Sequence, residues 1–247
     1  MIYRPRPGAL WGTPWHGRSP PSYLDGMDRD ITTLPRSIDA PEGKPVRPEA
    51  PENQRLMGEI LSDPSRWTPE LAKFTAEVFD ALSTNWIDER GGYRPAPLMD
   101  ALDRGHPSRQ GRCLEIGSGT GILTPYLHEI WDELICVDLS VGMMTHQRHA
   151  CRVQADASIL PFPDEAFDVI VIGDGPLFAA ETVRLLAGGG TLVWSNALGS
   201  GAPYFLRTAD IWDALAKADP GSSWSAIESD AMWGSWAVFR RGESELH

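Results

Sequence analysis

The chain has 247 residues, 42% of them hydrophobic, which is enough for the core of one large domain or of one domain with an extension. Its net charge of −12 argues against a nucleic-acid partner, because binding to a phosphate backbone depends on Lys and Arg. No run of residues approaches the roughly 20 apolar residues of a membrane span.

The cysteines are few, and their spacing is not that of a metal site or of a disulfide scaffold. Cys113, Cys136 and Cys151 form neither a C-x-x-C pair nor an even framework, so we predict no metal site and no disulfide scaffold. We expect all three to be small apolar residues in or beside core strands. The first residues lack the apolar core of a signal peptide. We therefore expect a cytoplasmic protein without a membrane partner.

Residues 1–55 form a proline-rich N-terminal extension. They hold ten of the 21 prolines together with Trp11, Trp15, His16 and Tyr23. This density of proline excludes long helices. Two interpretations remain open, a disordered leader and an ordered strap anchored by the two tryptophans. The aromatic content favours the strap, because disordered segments are usually poor in aromatic residues.

The main domain is predicted to span residues 56–247, and it begins with helices. Thr68 followed by Pro69 is a typical helix start, a hydroxyl cap before a proline. Apolar residues then recur at helical spacing from Leu71 to Leu82. We expect residues 56–95 to form cap helices ahead of the first predicted strand of this domain.

Four apolar runs in the middle of the chain read as strands that end on glycines or carboxylates. The runs are Arg112–Ile116, Leu134–Val137, Ala150–Val153 and Phe167–Ile172, and they lead into Gly117–Gly121, Asp138, Asp156 and Gly173-Asp174. In an open α/β sheet, ligands bind beyond the carboxyl ends of the strands. The sequence therefore predicts a ligand site at one edge of such a sheet.

The residues at this edge suit a nucleoside. Glycines allow a sharp turn and the close approach of a ligand, and a carboxylate after the next strand can accept from both ribose hydroxyls. Asp138 follows Gly121 by 17 residues, near the roughly 20-residue offset expected of such an acid. The pattern is G-x-G-x-G rather than the dinucleotide fingerprint G-x-G-x-x-G, since position 122 is Ile122.

The stretch resembles the class I S-adenosylmethionine-dependent methyltransferases. The resemblance lies in LEIGSGTG, in VDLS followed by Met143, and in QADASILPFPDEAFDVIV, and it covers roughly residues 85–240. It implies an α/β fold, a doubly wound, seven-stranded, mostly parallel sheet of the Rossmann-like methyltransferase type. Runs at about 224–230 and 234–240 would form the antiparallel final hairpin.

The resemblance also implies S-adenosyl-L-methionine as the cofactor and assigns residues to it. The glycine turn would hold the amino-acid part of the cofactor, Asp138 the ribose and Asp156 the adenine amino group. Arg94 is either a partner of the cofactor carboxylate or a solvated surface residue. The predicted cofactor-binding residues are Glu115, Gly117, Ser118, Gly119, Thr120, Gly121, Asp138, Leu139, Met143, Asp156, Ala157, Gly173 and Arg94.

Candidates near the transferred methyl group follow the fourth strand and a predicted fifth strand, Thr191–Trp194, which comes after the glycine run at 188–190. They are Asp174, Pro176, Ser195 and Asn196. Asp174 is the candidate catalytic residue, as a base or an orienting acceptor. The alternative is that it caps a helix beginning at Gly175. Ser195-Asn196 lacks the second carboxylate of metal-dependent O-methyltransferases, so we predict no metal.

Three functions fit the sequence. We favour a methyltransferase acting on O, N or C of a small-molecule acceptor. An aminopropyltransferase-like enzyme would use the same fold, but no clear set of polyamine-binding acids is present. The third possibility is a non-catalytic module that binds S-adenosylmethionine.

Overall fold

The computed structural model describes residues 28–43, 51–90, 92–148 and 151–242. Trp11, Trp15, His16 and Tyr23, on which the strap interpretation depends, lie outside these ranges. Within the described part of the chain, no helix is long and apolar enough to cross a membrane.

A single sheet of eight strands organises the described residues. The strands are β1 (Asp30–Thr33), β2 (Cys113–Ile116), β3 (Leu134–Asp138), β4 (Cys151–Gln154), β5 (Phe167–Gly173), β6 (Leu186–Asn196), β7 (Trp224–Ala231) and β8 (Gly234–Arg241). Their order is β1-β7-β8-β6-β5-β2-β3-β4, and only β8 runs antiparallel to its neighbours. All seven predicted strands and the final hairpin are present. The additional strand, β1, comes from the N-terminal extension and pairs with β7.

Eight α-helices accompany the sheet in the described ranges. They are α1 (Pro51–Ser62), α2 (Pro69–Leu82), α3 (Trp86–Arg90), α4 (Pro95–Arg104), α5 (Thr124–His128), α6 (Val141–Met144), α7 (Ala179–Leu185) and α8 (Thr208–Ala218). The predicted start of α2 is confirmed, because the Thr68 hydroxyl accepts from the backbone N–H of Leu71 at 3.3 Å.

Helices cover both faces of the sheet, which explains the near-continuous apolar strands. On β5, Ile170 and Ile172 belong to the core cluster that includes α7 and α8. Val169 and Val171 alternate with them and belong to the cluster formed with α4. The strand thus buries successive side chains in opposite layers, as expected for a doubly wound fold.

The carboxyl ends of the central strands meet at one edge. Ile116, the last residue of β2, is level with Val137 on one side and Ile172 on the other. From β2 the chain proceeds to β3 and β4 in one direction, and later to β5 and β6 in the other. The switch in strand order therefore lies between β2 and β5, where ligands bind in open α/β sheets.

Two details differ from expectation. The glycine run at 188–190 lies within β6 rather than before it, because the register with β5 jumps from Leu186 to Thr191 and the intervening residues bulge out. Cys113 and Cys136 are buried as predicted, whereas Cys151 is exposed. Its strand, β4, is the edge strand of the sheet formed by the described residues.

Candidate functional site

A cavity opens at the carboxyl ends of β2, β3 and β5. It encloses about 930 Å³ of non-protein space, part of it open to solvent. Arg94, Asp174 and every residue predicted for the cofactor except Gly121 line this cavity. The structure thus brings together the positions that the sequence motifs single out, and the individual binding roles remain predictions.

The glycine turn is fastened to Asp138. The N–H of Gly119 donates to Oδ2 of Asp138 at 2.7 Å, and the N–H of Ser140 donates to Oδ1 at 2.8 Å. Gly119 has φ +55°, a left-handed conformation that favours glycine. Burial raises the pKa of Asp138 above its usual range, although the backbone donors act in the opposite direction.

Gly121 is a packing residue in this structure. Its φ is +81°, and a Cβ at this position would lie 2.7 Å from Cγ of Gln147. It lies outside the cavity lining. The absence of a side chain at this third glycine of the motif therefore permits the close approach of Gln147.

Glu115 is a buried acid with its own donors. The Thr124 hydroxyl donates to Oε2 at 2.6 Å, and the Cys136 thiol donates to the same oxygen at 3.3 Å. Burial raises the pKa of Glu115 from 4.5 to about 7, more than these hydrogen bonds lower it.

Several polar atoms of the lining residues are buried without a hydrogen-bond partner in the described part of the chain. They are Oγ of Ser118, Oγ1 of Thr120 and Nε of Arg94. Buried polar groups in native proteins are normally hydrogen-bonded, so orphaned ones at a cavity indicate a ligand partner. Hydroxyls and a guanidinium N–H suit the ammonium and carboxylate of an amino acid. The residues present therefore fit the amino-acid part of S-adenosylmethionine.

Asp156 lies at the other end of the cavity, held by a residue that the motifs did not indicate. The indole N–H of Trp67 donates to both carboxylate oxygens, at 3.0 Å to Oδ1 and 2.9 Å to Oδ2. The N–H of Ser158 donates to Oδ1 at 2.8 Å.

Arg94 and Asp174 form a largely buried ion pair. Nη1 of Arg94 donates to Oδ2 of Asp174 at 2.7 Å, and their side chains are 14% and 12% exposed. The guanidinium lies over the ring of Trp86, 5.0 Å from its centroid. The interpretation of Arg94 as a solvated surface residue is therefore wrong.

Asp174 does not cap a helix. Helix α7 begins at Ala179, and Oδ1 of Asp174 instead accepts from the N–H of Ala197 at 3.1 Å. Asp174 itself has φ +52°, an uncommon conformation for a residue other than glycine. Pro176 lines the cavity, whereas Ser195 and Asn196 do not.

Phe79, Trp86 and Tyr204 form an aromatic wall of the cavity. The sequence motifs did not indicate this wall. Phe79 packs edge-on against Trp86 at 5.7 Å and stacks on Tyr204 at 6.4 Å between ring centroids. Burial raises the pKa of the Tyr204 hydroxyl well above its usual range. The signal in the sequence was the helical spacing of Thr75 and Phe79, which places both on the inward face of α2.

Comparison with known proteins supports the resemblance to methyltransferases that the sequence motifs indicate. A family model described as "Methyltransferase domain" matches residues 114–194. A demethylmenaquinone methyltransferase of Mycobacterium marinum is 35% identical over 91 residues, covering 33% of this chain and 39% of the relative. A ubiquinone/menaquinone biosynthesis C-methyltransferase of Vibrio vulnificus is 31% identical over 125 residues, covering 42% and 47%. The chain thus spans less than half the length of these curated relatives.

Solved structures share the fold. The DhpI–SAH complex has a TM-score of 0.56 at 18% identity, covering 71% of this chain and 99% of that chain. A possible histamine N-methyltransferase from Thermotoga maritima has 0.51 at 21% identity, covering 68% and 99%. Phosphoethanolamine N-methyltransferase 1 of Haemonchus contortus has 0.53 at 13% identity, covering 73% and 51%. At these identities the likeness concerns the fold alone.

The matched segment contains the parts of the cavity that the sequence motifs describe. Residues 114–194 include the glycine turn, Asp138, Asp156 and Asp174. S-adenosylmethionine is the cofactor of the family, and the orphaned polar atoms and paired acids of the cavity fit it. Residues 114–194 match a methyltransferase domain, and the chain shares the fold of S-adenosylmethionine-dependent methyltransferases.

Proposed function

We propose that the protein transfers a methyl group from S-adenosylmethionine to a small-molecule acceptor. The observation that carries this proposal is one continuous cavity. It joins a glycine turn, two acids from neighbouring strands and an aromatic wall. The glycine turn and the two acids would hold the cofactor, and the aromatic wall would contact the acceptor.

The cofactor supplies an activated methyl group, so the protein has chiefly to bind, orient and exclude water. Asp138 would accept from the ribose hydroxyls and Asp156 from the adenine amino group. Three aspartates and Glu115 line the cavity against one cation, Arg94, among its lining residues. This negative balance favours a cofactor whose sulfonium and ammonium groups are positive.

The ion pair of Arg94 and Asp174 would hold the amino-acid end of the cofactor. Asp174 already accepts from Arg94 and from Ala197, so its oxygens are engaged as acceptors. This arrangement favours an orienting role for Asp174 over that of a general base. Nε of Arg94, buried and unpartnered, is left to donate to the cofactor carboxylate.

We propose further that the acceptor carries a flat ring. Phe79, Trp86 and Tyr204 line the cavity and pack on one another in stacked or edge-on geometry, and a ring of the acceptor would pack against them in the same way. The names of the relatives agree with such an acceptor, since they act on demethylmenaquinone or serve ubiquinone and menaquinone biosynthesis. A quinol-like or phenolic ring is the first acceptor class to test.

The test is transfer of an isotope-labelled methyl group from S-adenosylmethionine to a panel of small molecules. The panel should contain phenols, quinols, amines and carboxylic acids. A labelled product formed by the wild-type protein and lost in Asp138→Ala supports the proposal. Cofactor binding by calorimetry without any labelled product across the panel would instead indicate a non-catalytic binding module.

A further inference from the structure

Trp67 has a hydrogen-bonding role at the adenine end of the cavity. Its indole N–H reaches both oxygens of Asp156, and Ser158 donates to one of them. A carboxylate offers about four acceptor positions, two on each oxygen. Among the residues that the structure describes, two donors thus fill Oδ1, whereas Oδ2 receives only the indole. One acceptor position, on Oδ2, is left for a ligand.

The same side chain joins the N-terminal helices to the sheet. Trp67 lies between the 3-10 turn Pro64–Arg66 and α2, and residues 62–66 and 68–70 on either side are exposed. Its ring packs edge-on against the buried Phe178, with ring centroids 5.5 Å apart. The indole is therefore the inward contact of this segment, and it ends on the carboxylate predicted to recognise adenine.

We propose that Trp67 is a positioning residue for the adenine of the cofactor, acting through Asp156. The indole N–H fixes the rotation of the carboxylate so that the free position of Oδ2 faces the adenine amino group. Because Trp67 belongs to the cap segment, filling the adenine site also holds this segment against the sheet. The inference rests on the proposed binding of S-adenosylmethionine in this cavity.

A double-mutant cycle tests the proposal with S-adenosylhomocysteine as the probe. Calorimetry would measure its affinity for the wild type, Trp67→Phe, Asp156→Ala and the double variant. Phenylalanine keeps a ring against Phe178 but removes the donor, so we expect about fivefold weaker binding, the effect of one hydrogen bond. In the Asp156→Ala background the same replacement should change affinity less than twofold, since residues that act through each other are not additive.

A matched control separates this role from structural support. Trp212→Phe removes another indole N–H, which donates to the carbonyl of Trp224 at 3.2 Å outside the cavity. This variant should have a lower melting temperature than the wild type but the same affinity for S-adenosylhomocysteine. Equal losses of affinity from Trp67→Phe in both backgrounds, or no loss in either, would overturn the inference. A wild-type protein that binds no S-adenosylhomocysteine would overturn the proposed function itself.

A spectroscopic readout follows Trp67 directly. In protein labelled with 5-fluorotryptophan, the fluorine resonance missing from Trp67→Phe identifies this residue. Addition of S-adenosylhomocysteine should shift that resonance, because adenine arrives on the carboxylate that the indole contacts. A resonance that stays in place at saturating S-adenosylhomocysteine would contradict the proposal.

Discussion

At the scale of single residues, the acids of the cavity differ in what fixes them. Asp138 and Asp156 accept from backbone or indole N–H groups, and Asp174 accepts from the Arg94 guanidinium and the N–H of Ala197. Glu115 is buried and, within the described ranges, has only a hydroxyl and a thiol as donors. These differences lead to separate predictions for Glu115 and Arg94.

Glu115 should make stability depend on pH. Its pKa in the folded protein, about 7, lies above the ordinary 4.5, so the folded state binds this proton more tightly than the unfolded chain. Its contribution is therefore present below about pH 4.5 and is lost as the pH rises toward 7 and beyond. The loss is on the order of 3 kcal/mol at most.

Glu115→Gln removes the ionisable carboxyl group but keeps a carbonyl oxygen that can accept from Thr124. Urea unfolding at pH 5 and pH 8 should give a smaller drop in free energy of unfolding for this variant than for the wild type. An identical drop in the two proteins would mean that Glu115 ionises in the folded state as easily as in the unfolded chain.

Arg94 should affect only ligands that carry the amino-acid part of the cofactor. Arg94→Gln removes a charge-assisted donor, so S-adenosylhomocysteine should bind about tenfold more weakly. 5′-Methylthioadenosine, which lacks the carboxylate and the ammonium, serves as the matched ligand and should change less than twofold. If calorimetry shows that both ligands lose the same affinity, Arg94 does not contact the amino-acid part of the cofactor.

At the scale of elements, the strands were more predictable than the helices that cover the site. The strands β2, β3 and β5 end on residues with distinctive chemistry, and their apolar runs are buried on both faces. Strand β1 has the sequence DITT and is mostly exposed, so it has no apolar run from which it could be predicted. The sequence motifs did not predict the aromatic wall, because the wall depends on how α2 packs on the sheet. Helical periodicity does not specify which edge of the sheet a helix covers.

Helix α2 is fastened to the cofactor edge through Asp80. Oδ1 of Asp80 accepts from the Ser140 hydroxyl and, at 2.7 Å, from the N–H of Gly142. Asp80→Ala should loosen this attachment and speed amide hydrogen exchange in residues 69–82 by about tenfold, as expected for a less stable local unit. Lys73→Ala, on the exposed side of the same helix, is the control. Equal exchange in the two variants would rule out the attachment.

At the scale of the whole molecule, the sheet extends beyond the segment that carries the methyltransferase motifs. The family match covers residues 114–194, whereas the sheet continues through β8 and β7 to β1. Arg29, just before β1, forms two hydrogen bonds of 2.6 Å with Asp213 of α8. The N-terminal extension is therefore part of the folded structure over residues 28–43, although it carries no residue of the methyltransferase motifs.

Two truncations isolate the contribution of β1. A chain beginning at residue 44 should melt at least about 4 °C below a chain beginning at residue 28, since only the former lacks the strand and Arg29. Calorimetric melting of both proteins provides the comparison. Equal melting temperatures would show that β7 is stable as an edge strand.

The most direct test of the account is a crystal structure of the protein with S-adenosylhomocysteine. We predict that the ribose hydroxyls donate to Asp138, the adenine amino group to Asp156, and that the homocysteine part lies on Gly117–Gly119 beside Arg94. A nucleoside bound away from the carboxyl ends of β2, β3 and β5 would contradict this prediction.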